Sequence, residues 1–264
     1  MIFNLFKSRP SLKELIPRGF VDIHSHILPG IDDGAKNIEE SLELISKMKN
    51  LGFSKIIGTP HTYTGLFNNT HESIENAYNK LEQNLQCDIE ISYASEYLLD
   101  NNIVKNAKSK NLLCLMNNFV LVEMSYLSSP LNLYDIIFEI KVNGYTPVLA
   151  HPERYVFLFK NFKEYSKLKK TGCKFQLNLL SITGYYGRSV LENSEKLLKN
   201  NLIDYVGSDI HKKEHDKDIR SDKDGDFGIV PMPGITGVNI RTKSAYGSLR
   251  EAKVEFVCHN LRQL

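Results

Sequence analysis

The chain has 264 residues, 42% of them hydrophobic and 24% charged, with a formal net charge of +2. That composition excludes disorder as the default state, and the length suits one α/β domain or two small ones. Lysines are spread along the chain rather than massed, so neither nucleic acid nor a membrane surface is called for as a partner, while an acidic or phosphorylated substrate stays open.

Residues 1–18 read as an N-terminal arm. Ile2, Phe3, Leu5 and Phe6 make a short apolar start, but no cleavable leader pattern follows and no run of about eighteen apolar residues occurs anywhere. A cytoplasmic protein without an integral membrane segment is expected; docking of the apolar start on a partner or membrane surface is the alternative. Cys87, Cys114, Cys173 and Cys258 stand far apart with no C-x-x-C pair, so free thiols are expected rather than a disulfide framework or zinc ribbon. None has an Arg six positions later, so the C-x5-R arrangement of thiol-based phosphatases is absent.

From Gly19 short apolar runs alternate with longer amphipathic ones, the pattern of parallel strands joined by crossover helices. Phe20 to His24 is the first strand. Asn37 to Glu40 reads as a capping box, and Ile38, Leu42, Ile45, Met48 and Leu51 recur at helical spacing until Gly52. Phe53 to Thr59 is the second strand; Thr70 caps a helix carrying Ile74, Ala77, Tyr78, Leu81 and Leu85; Ile89 to Ser95 is the third strand. Phe119 to Met124, Thr146 to Ala150, Cys173 to Leu179 and Asp204 to Ser208 continue the strands. Helices are expected at Leu133 to Val142, Phe162 to Lys170 and Ser189 to Asn200. About seven β/α units result, most simply closed into a barrel resembling the TIM type, with an open sheet as the alternative. The rhythm fades near Lys212, so residues 19–216 are expected to form the barrel and 217–264 an atypical C-terminal segment, with Ser248 to Leu264 a closing helix or a strand and helix.

Histidines and acids fall at the C-terminal ends of these strands: His24 and His26, His61, Glu96, Glu123, His151, then Asp209 and His211. In a parallel barrel those ends share one face, where active sites form. His24-Ser-His26 puts two imidazoles on one side of an extended strand, and Asp209-Ile-His211 repeats the spacing with a carboxylate. The mixed N/O donor set points to Mn, Fe or Zn and away from Ca. Asp32 and Asp33 each suit a turn before a helix.

The segments VDIHSHILPGIDDG, GTPH, ASEY, LVEM, LAHPERY and GSDIH resemble the successive motifs of the PHP superfamily. HSHILPGIDDG and HPERY in particular are similar to the manganese-dependent bacterial tyrosine-protein phosphatases of capsule and exopolysaccharide loci. The resemblance spans about residues 19 to 215. It implies a distorted seven-stranded β/α barrel of PHP type with up to three ions, Mn2+ foremost and Fe or Zn next. His24, His26, Glu96 and Asp209 would hold one ion, Glu96 with Glu123 and His151 a second, and Asp33 with His61 and His211 a third.

The implied activity is hydrolysis of phosphotyrosine on protein by metal-activated hydroxide, the substrate being an autophosphorylating tyrosine kinase that controls polysaccharide export. Arg154 would clamp the phosphate as a catalytic group, and Asn178 and Tyr63 would touch substrate. Tyr63, Phe67 and Tyr97 are candidates for an aromatic wall, and His215 for an outer contact or solvent. Relatives often carry a second Arg after the last Asp-x-His; KKEHDK stands here, leaving Lys212 or Lys213 as a point charge. Alternatives are a small-molecule phosphoesterase of the histidinol-phosphate type and a non-catalytic metal-binding module.

Overall fold

A computed structural model describes residues 19–212 and, further on, the backbone of 227–231, 238–243 and 249–252. The N-terminal arm lies outside the described residues, as do Lys213, His215 and Cys258. Strand β1 (Phe20–Ser25) leads to helix α1 (Ile38–Leu51), β2 (Phe53–Gly58), β3 (His61–Thr62) and α2 (His71–Asn84). There follow β4 (Glu90–Tyr93), β5 (Glu96–Leu98), α3 (Asn101–Lys108), β6 (Phe119–Glu123), α4 (Leu133–Val142) and β7 (Thr146–Ala150). After two short 3-10 turns come α5 (Lys163–Lys170), β8 (Lys174–Asn178), a third 3-10 turn, α6 (Arg188–Lys199) and β9 (Tyr205–Gly207).

The fold is mixed α/β with parallel sheets. Strands pair in the orders β1-β2-β4 and β3-β5-β6-β7-β8-β9, every pair parallel. The second and third strands, expected as single runs, are each divided. Pro60 has no N–H to give a ladder, and β2 gives way to β3 around it. Ala94 N donates to Gly58 O (2.9 Å) and Glu96 N to Pro60 O (3.1 Å) across the same break. At the other edge Ser25 bridges Ile210 in parallel. His26 N donates to Ile210 O (2.9 Å) and Asp209 N to His24 O (2.8 Å), which puts the segment after β9 beside β1.

Helix boundaries follow local chemistry. Asn37 accepts from Glu40 N at 2.9 Å, while the Glu40 carboxylate turns to Lys36 N at 3.0 Å instead of to its own cap. Gly52 ends α1 at φ 109°, a left-handed conformation open to glycine. Thr70 and Ser73 form a complete capping box on α2. Helix α3 is an element the sequence pattern does not show: NNIVKNAK is short, burying only Ile103 and Ala107, and its start rests on Asp100, whose carboxylate accepts from Asn102 N and Ile103 N.

Two apolar clusters result. The larger packs the helices on the strands, with Leu44, Ile45, Met48 and Leu51 of α1 fully buried; each such side chain contributes about 1.5–3 kcal/mol by leaving water. The smaller joins Ile23, Ile57, Ala94, Leu121, Val148 and Ala150 from five neighbouring strand positions. Beyond residue 212, where the sequence shows no clear rhythm, β10 (Phe227–Pro231), β11 (Val238–Lys243) and β12 (Leu249–Ala252) form an antiparallel sheet. Of the expected closing element, Leu249–Ala252 is strand and the remainder lies outside the described residues.

Candidate metal centre

The strand ends bring five imidazoles and four carboxylates together. Four groupings have donor atoms within 4.8 Å of one another: His26, Asp33, His61 and His211; His24, His151 and Asp209; His24, His26 and Glu96; His61, Glu96 and Glu123. All nine candidate ligands named from the sequence lie in them. His24, His26, Glu96, Glu123, His151 and Asp209 are buried, and His61 and His211 partly so; Asp33 is the exposed member.

Around His24 and His26 five donor distances are nearly equal. His24 Nε2 lies 3.2 Å from His26 Nε2, 3.1 Å from Glu96 Oε2 and 3.4 Å from Asp209 Oδ1. His26 Nε2 lies 3.5 Å from Glu96 Oε2 and 3.3 Å from Asp209 Oδ1. Donor atoms that share one divalent ion at about 2.0 Å stand about 3 Å or a little more apart, the range of these five distances, with Glu96 and Asp209 falling in different groupings around His24. Glu96 turns its other oxygen, Oε1, to His151 Nε2 at 3.2 Å. On the outer side Asp33 Oδ1 is 3.6 Å from His61 Nε2 and 3.4 Å from His211 Nε2. Glu96 Oε1, Glu123 Oε1, His61 Nδ1 and His151 Nδ1 are buried and make no hydrogen bond, although His61 Nδ1 stands 2.9 Å from Glu123 Oε1 and Glu96 Oε1 faces His151. Buried donors that crowd one another without forming hydrogen bonds are what a cation would satisfy.

The charges show the same need. Burial opposes the charged form of His24, yet Glu96 and Asp209 outweigh it and push the imidazole up to about 9. His26 is raised too, burial being outweighed by Asp32 and its other acidic neighbours. Glu96 and Asp209 are held well below the usual carboxylate range, His24 foremost among the groups that overcome their burial. Burial, aided by Glu96, raises Glu123, and burial lowers His151 to about 4. Without metal, protons on imidazoles offset the acids; bound cations would take their place.

Supporting residues aim the donors. His24 Nδ1 donates to Gln176 Oε1 (2.8 Å) and His26 Nδ1 to Asp32 Oδ2 (2.7 Å), so each ring turns Nε2 inward. Arg154 Nη1 and Asn178 Nδ2 both donate to Asp209 Oδ2 at 2.8 Å, which leaves Oδ1 to face the two histidines. His151 and Asp209 adopt positive φ, 33° and 52°, the kind of backbone strain that clusters at functional sites. A Cβ at Gly34 would fall 2.1 Å from His26 O, and one at Gly207 2.6 Å from His24 Cβ, so both positions need glycine for close approach.

Asp32, Gln176 and Asp22 were not assigned to the site from sequence. Asp32 was read as a turn acid; it does cap Gly34 N (2.9 Å), and it also holds His26. Asp22 accepts from Ser208 N (2.9 Å) and Ser208 Oγ (2.5 Å), tying β1 to the end of β9. Among the named substrate contacts, Arg154 lies beside Asp209 with 19% of its side chain exposed. Asn178 is fully buried, with its amide engaged by Asp209, Leu180 N and Tyr186. Tyr63 pairs through its backbone with Phe67, and it is the Phe67 ring that stacks on His61 (5.4 Å). Tyr97 belongs to the core, where its hydroxyl accepts from Leu113 N. Lys212 is exposed. The rings that lie near Arg154 are Tyr126 and Tyr186; a Tyr in a loop carries no signal of that in sequence.

Fold and site together define an α/β protein with a candidate multi-ion centre on its strand ends. The chain belongs to the CpsB/CapC family of capsular polysaccharide synthesis, whose profile matches residues 20–220. It is 28% identical over 195 residues to CapC of Staphylococcus aureus, covering 72% of this chain and 76% of that protein. With the tyrosine-protein phosphatase YwqE of Bacillus subtilis strain 168 it shares 29% identity over 195 residues, 72% of this chain and 77% of the relative. Its structure resembles one from a study of YwqE from Bacillus subtilis and CpsB from Streptococcus pneumoniae, described there as unique metal-dependent tyrosine phosphatases. That match has a TM-score of 0.71 at 27% identity, covering 76% of this chain and 84% of the other. Among the described residues no helix is long and apolar enough to cross a membrane.

Proposed function

We propose that this protein is a metal-dependent phosphatase that hydrolyses phosphotyrosine on protein, as its relatives' names describe for them. The observation that carries the reading is the convergence of buried His24, His26, Glu96 and Asp209, with donor atoms 3.1 to 3.5 Å apart along five of their six pairings. His24, His26, Glu96 and Asp209 would hold one ion, Glu96, Glu123 and His151 a second, and Asp33, His61 and His211 a third. Donors without thiolate favour Mn2+, with Fe or Zn next.

Bound there, such ions supply Lewis acidity toward the ester and make water a competent nucleophile at neutral pH. The chain's own residues do the rest. Glu96 offers one oxygen to each of two donor sets and so fixes their separation. Arg154 offers a planar fork to the phosphate oxygens at the rim of the site. No nucleophilic side chain is needed.

The two parallel sheets are best understood as one distorted seven-stranded β/α barrel, with β2 and β3 one broken strand and β4 and β5 another. The hydrogen bonds across the break, the Ser25 to Ile210 bridge and the small cluster around Ile23 and Val148 support that closure. Residues 19–216 would be the catalytic unit and 217–264 a separate C-terminal segment. The substrate we favour is an autophosphorylating tyrosine kinase acting in polysaccharide export, met in the cytoplasm.

Purified protein supplied with Mn2+ should release phosphate from phosphotyrosine peptides and stop when chelator is added. Absence of release with any divalent metal would overturn the reading, and faster turnover of histidinol phosphate than of phosphotyrosine would shift it to a small-molecule phosphoesterase.

A further inference from the structure

Arg154 stands between two tyrosines. Its Cζ is 4.7 Å from the ring centroid of Tyr126 and 4.1 Å from that of Tyr186. Tyr126 follows β6, Tyr186 follows β8, and Arg154 follows β7. β6 and β8 are the two neighbours of β7, so the rings come to the guanidinium from the segments that flank its own. Each ring is held in turn: Tyr126 stacks on His151 at 5.6 Å and 24°, and the Tyr186 hydroxyl accepts from Asn178 Nδ2 at 3.4 Å.

The arrangement restricts what the guanidinium can do. Arginine has five N–H donors in one plane, and Nη1 is the donor given to Asp209 Oδ2, at 2.8 Å. With two aromatic ring centroids 4.7 and 4.1 Å from Cζ, the N–H donors not given to Asp209 remain for an oxyanion, which binds a guanidinium along its edge. A free arginine would lose side-chain freedom each time it gripped a ligand; one already clamped loses little.

We propose that Tyr126 and Tyr186 are positioning residues that hold Arg154 edge-on toward the phosphate group of the substrate. The inference rests on the phosphatase reading and on the phosphate-binding role of Arg154. It predicts that the rings matter for phosphate affinity more than for the chemical step, and that the ring, not the hydroxyl, is what counts.

The test measures KM for a phosphotyrosine peptide, kcat, and the inhibition constant of inorganic phosphate in the Mn2+-loaded protein. Phosphate binding is also followed by calorimetry, which needs no turnover, and bound metal by mass spectrometry. Tyr126→Leu and Tyr186→Leu should each raise KM and the phosphate constants roughly fivefold, with a smaller change in kcat and unchanged metal content. Tyr126→Phe and Tyr186→Phe should return phosphate affinity close to that of the parent protein. Leu variants that bind phosphate like the parent, or Phe variants as weak as Leu, would overturn the proposal. Arg154→Ala separates the layers. If it weakens phosphate binding while the Leu variants do not, the clamp fails and the phosphatase reading stands; if it leaves binding unchanged, the role of Arg154 fails as well.

Discussion

Asp32 Oδ2 sits 2.7 Å from His26 Nδ1, with both side chains fully buried. Burial alone would raise the Asp32 carboxyl, yet the His26 charge beside it holds it below its ordinary value. The contact fixes the His26 tautomer and turns Nε2 toward Glu96 and Asp209. Asp32→Asn keeps the size and can still cap Gly34, but it loses the negative charge behind the imidazole. Metal affinity should fall roughly 10- to 100-fold with helix content unchanged, as read by metal titration and circular dichroism. An unaltered affinity would leave Asp32 as a turn residue only.

The parallel α/β alternation, and most of the residues that the structure gathers into one cluster, were legible in sequence for one reason. Strand and helix periodicities differ, so the alternation marked the strand ends, and His24, His61, Glu96, Glu123, His151 and Asp209 each fall at such an end. Thr146–Ala150 and Leu133–Val142 have the same boundaries in both readings. What stayed hidden depends on contacts distant in sequence. Gln176 meets His24 across 152 positions, and inward-facing Gln on a strand looks like any polar interruption. Asp32 and Asp33 are adjacent and chemically alike, yet Asp32 points to His26 and Asp33 to His61 and His211; only the turn geometry separates them. Helix α3 hid because its apolar stripe is only Ile103, Val104 and Ala107, too short to mark a period, and its start is set by the Asp100 cap.

Glu96 is the carboxylate whose loss should be felt most widely. Its Oε2 lies 3.1 Å from His24 Nε2 and 3.1 Å from His61 Nδ1, while Oε1 lies 3.2 Å from His151 Nε2. Glu96→Gln preserves shape but replaces one donating oxygen with an N–H group that repels a cation. More than one equivalent of metal should be lost, and turnover should fall to background. Loss of a single equivalent with the others retained would show that the donor sets are independent.

Removal of metal should destabilise the protein in a pH-dependent way. In the metal-free state His24 sits at about 9, above its ordinary 6.5, because Glu96 and Asp209 outweigh burial. A raised imidazole contributes stability that is complete below 6.5 and is lost as pH climbs through about 9. Metal binding needs the same nitrogen unprotonated and therefore strengthens over that window. Chelation should lower Tm by roughly 5–10 °C at neutral pH, and the gap between loaded and stripped protein should widen from pH 6.5 toward 9. Thermal melts across that range check it; a gap that narrows would contradict the sign.

Thiol chemistry should be irrelevant to turnover. Cys87, Cys114 and Cys173 are free among the described residues, and none joins the donor cluster. Burial pushes the Cys114 thiol up to about 11 and the Cys173 thiol up to about 12. The thiolate is the nucleophile, and at pH 8 a thiol with a pKa of about 11 is ionised in roughly one molecule per thousand. Iodoacetamide at pH 8 should therefore modify Cys114 and Cys173 slowly and leave phosphotyrosine hydrolysis intact, while chelator abolishes it in the same preparation. Mass spectrometry of the alkylated protein alongside the assay decides the matter: inactivation that tracks modification of Cys114 or Cys173 would place a thiolate in the reaction and remove the case for a purely metal-assisted one.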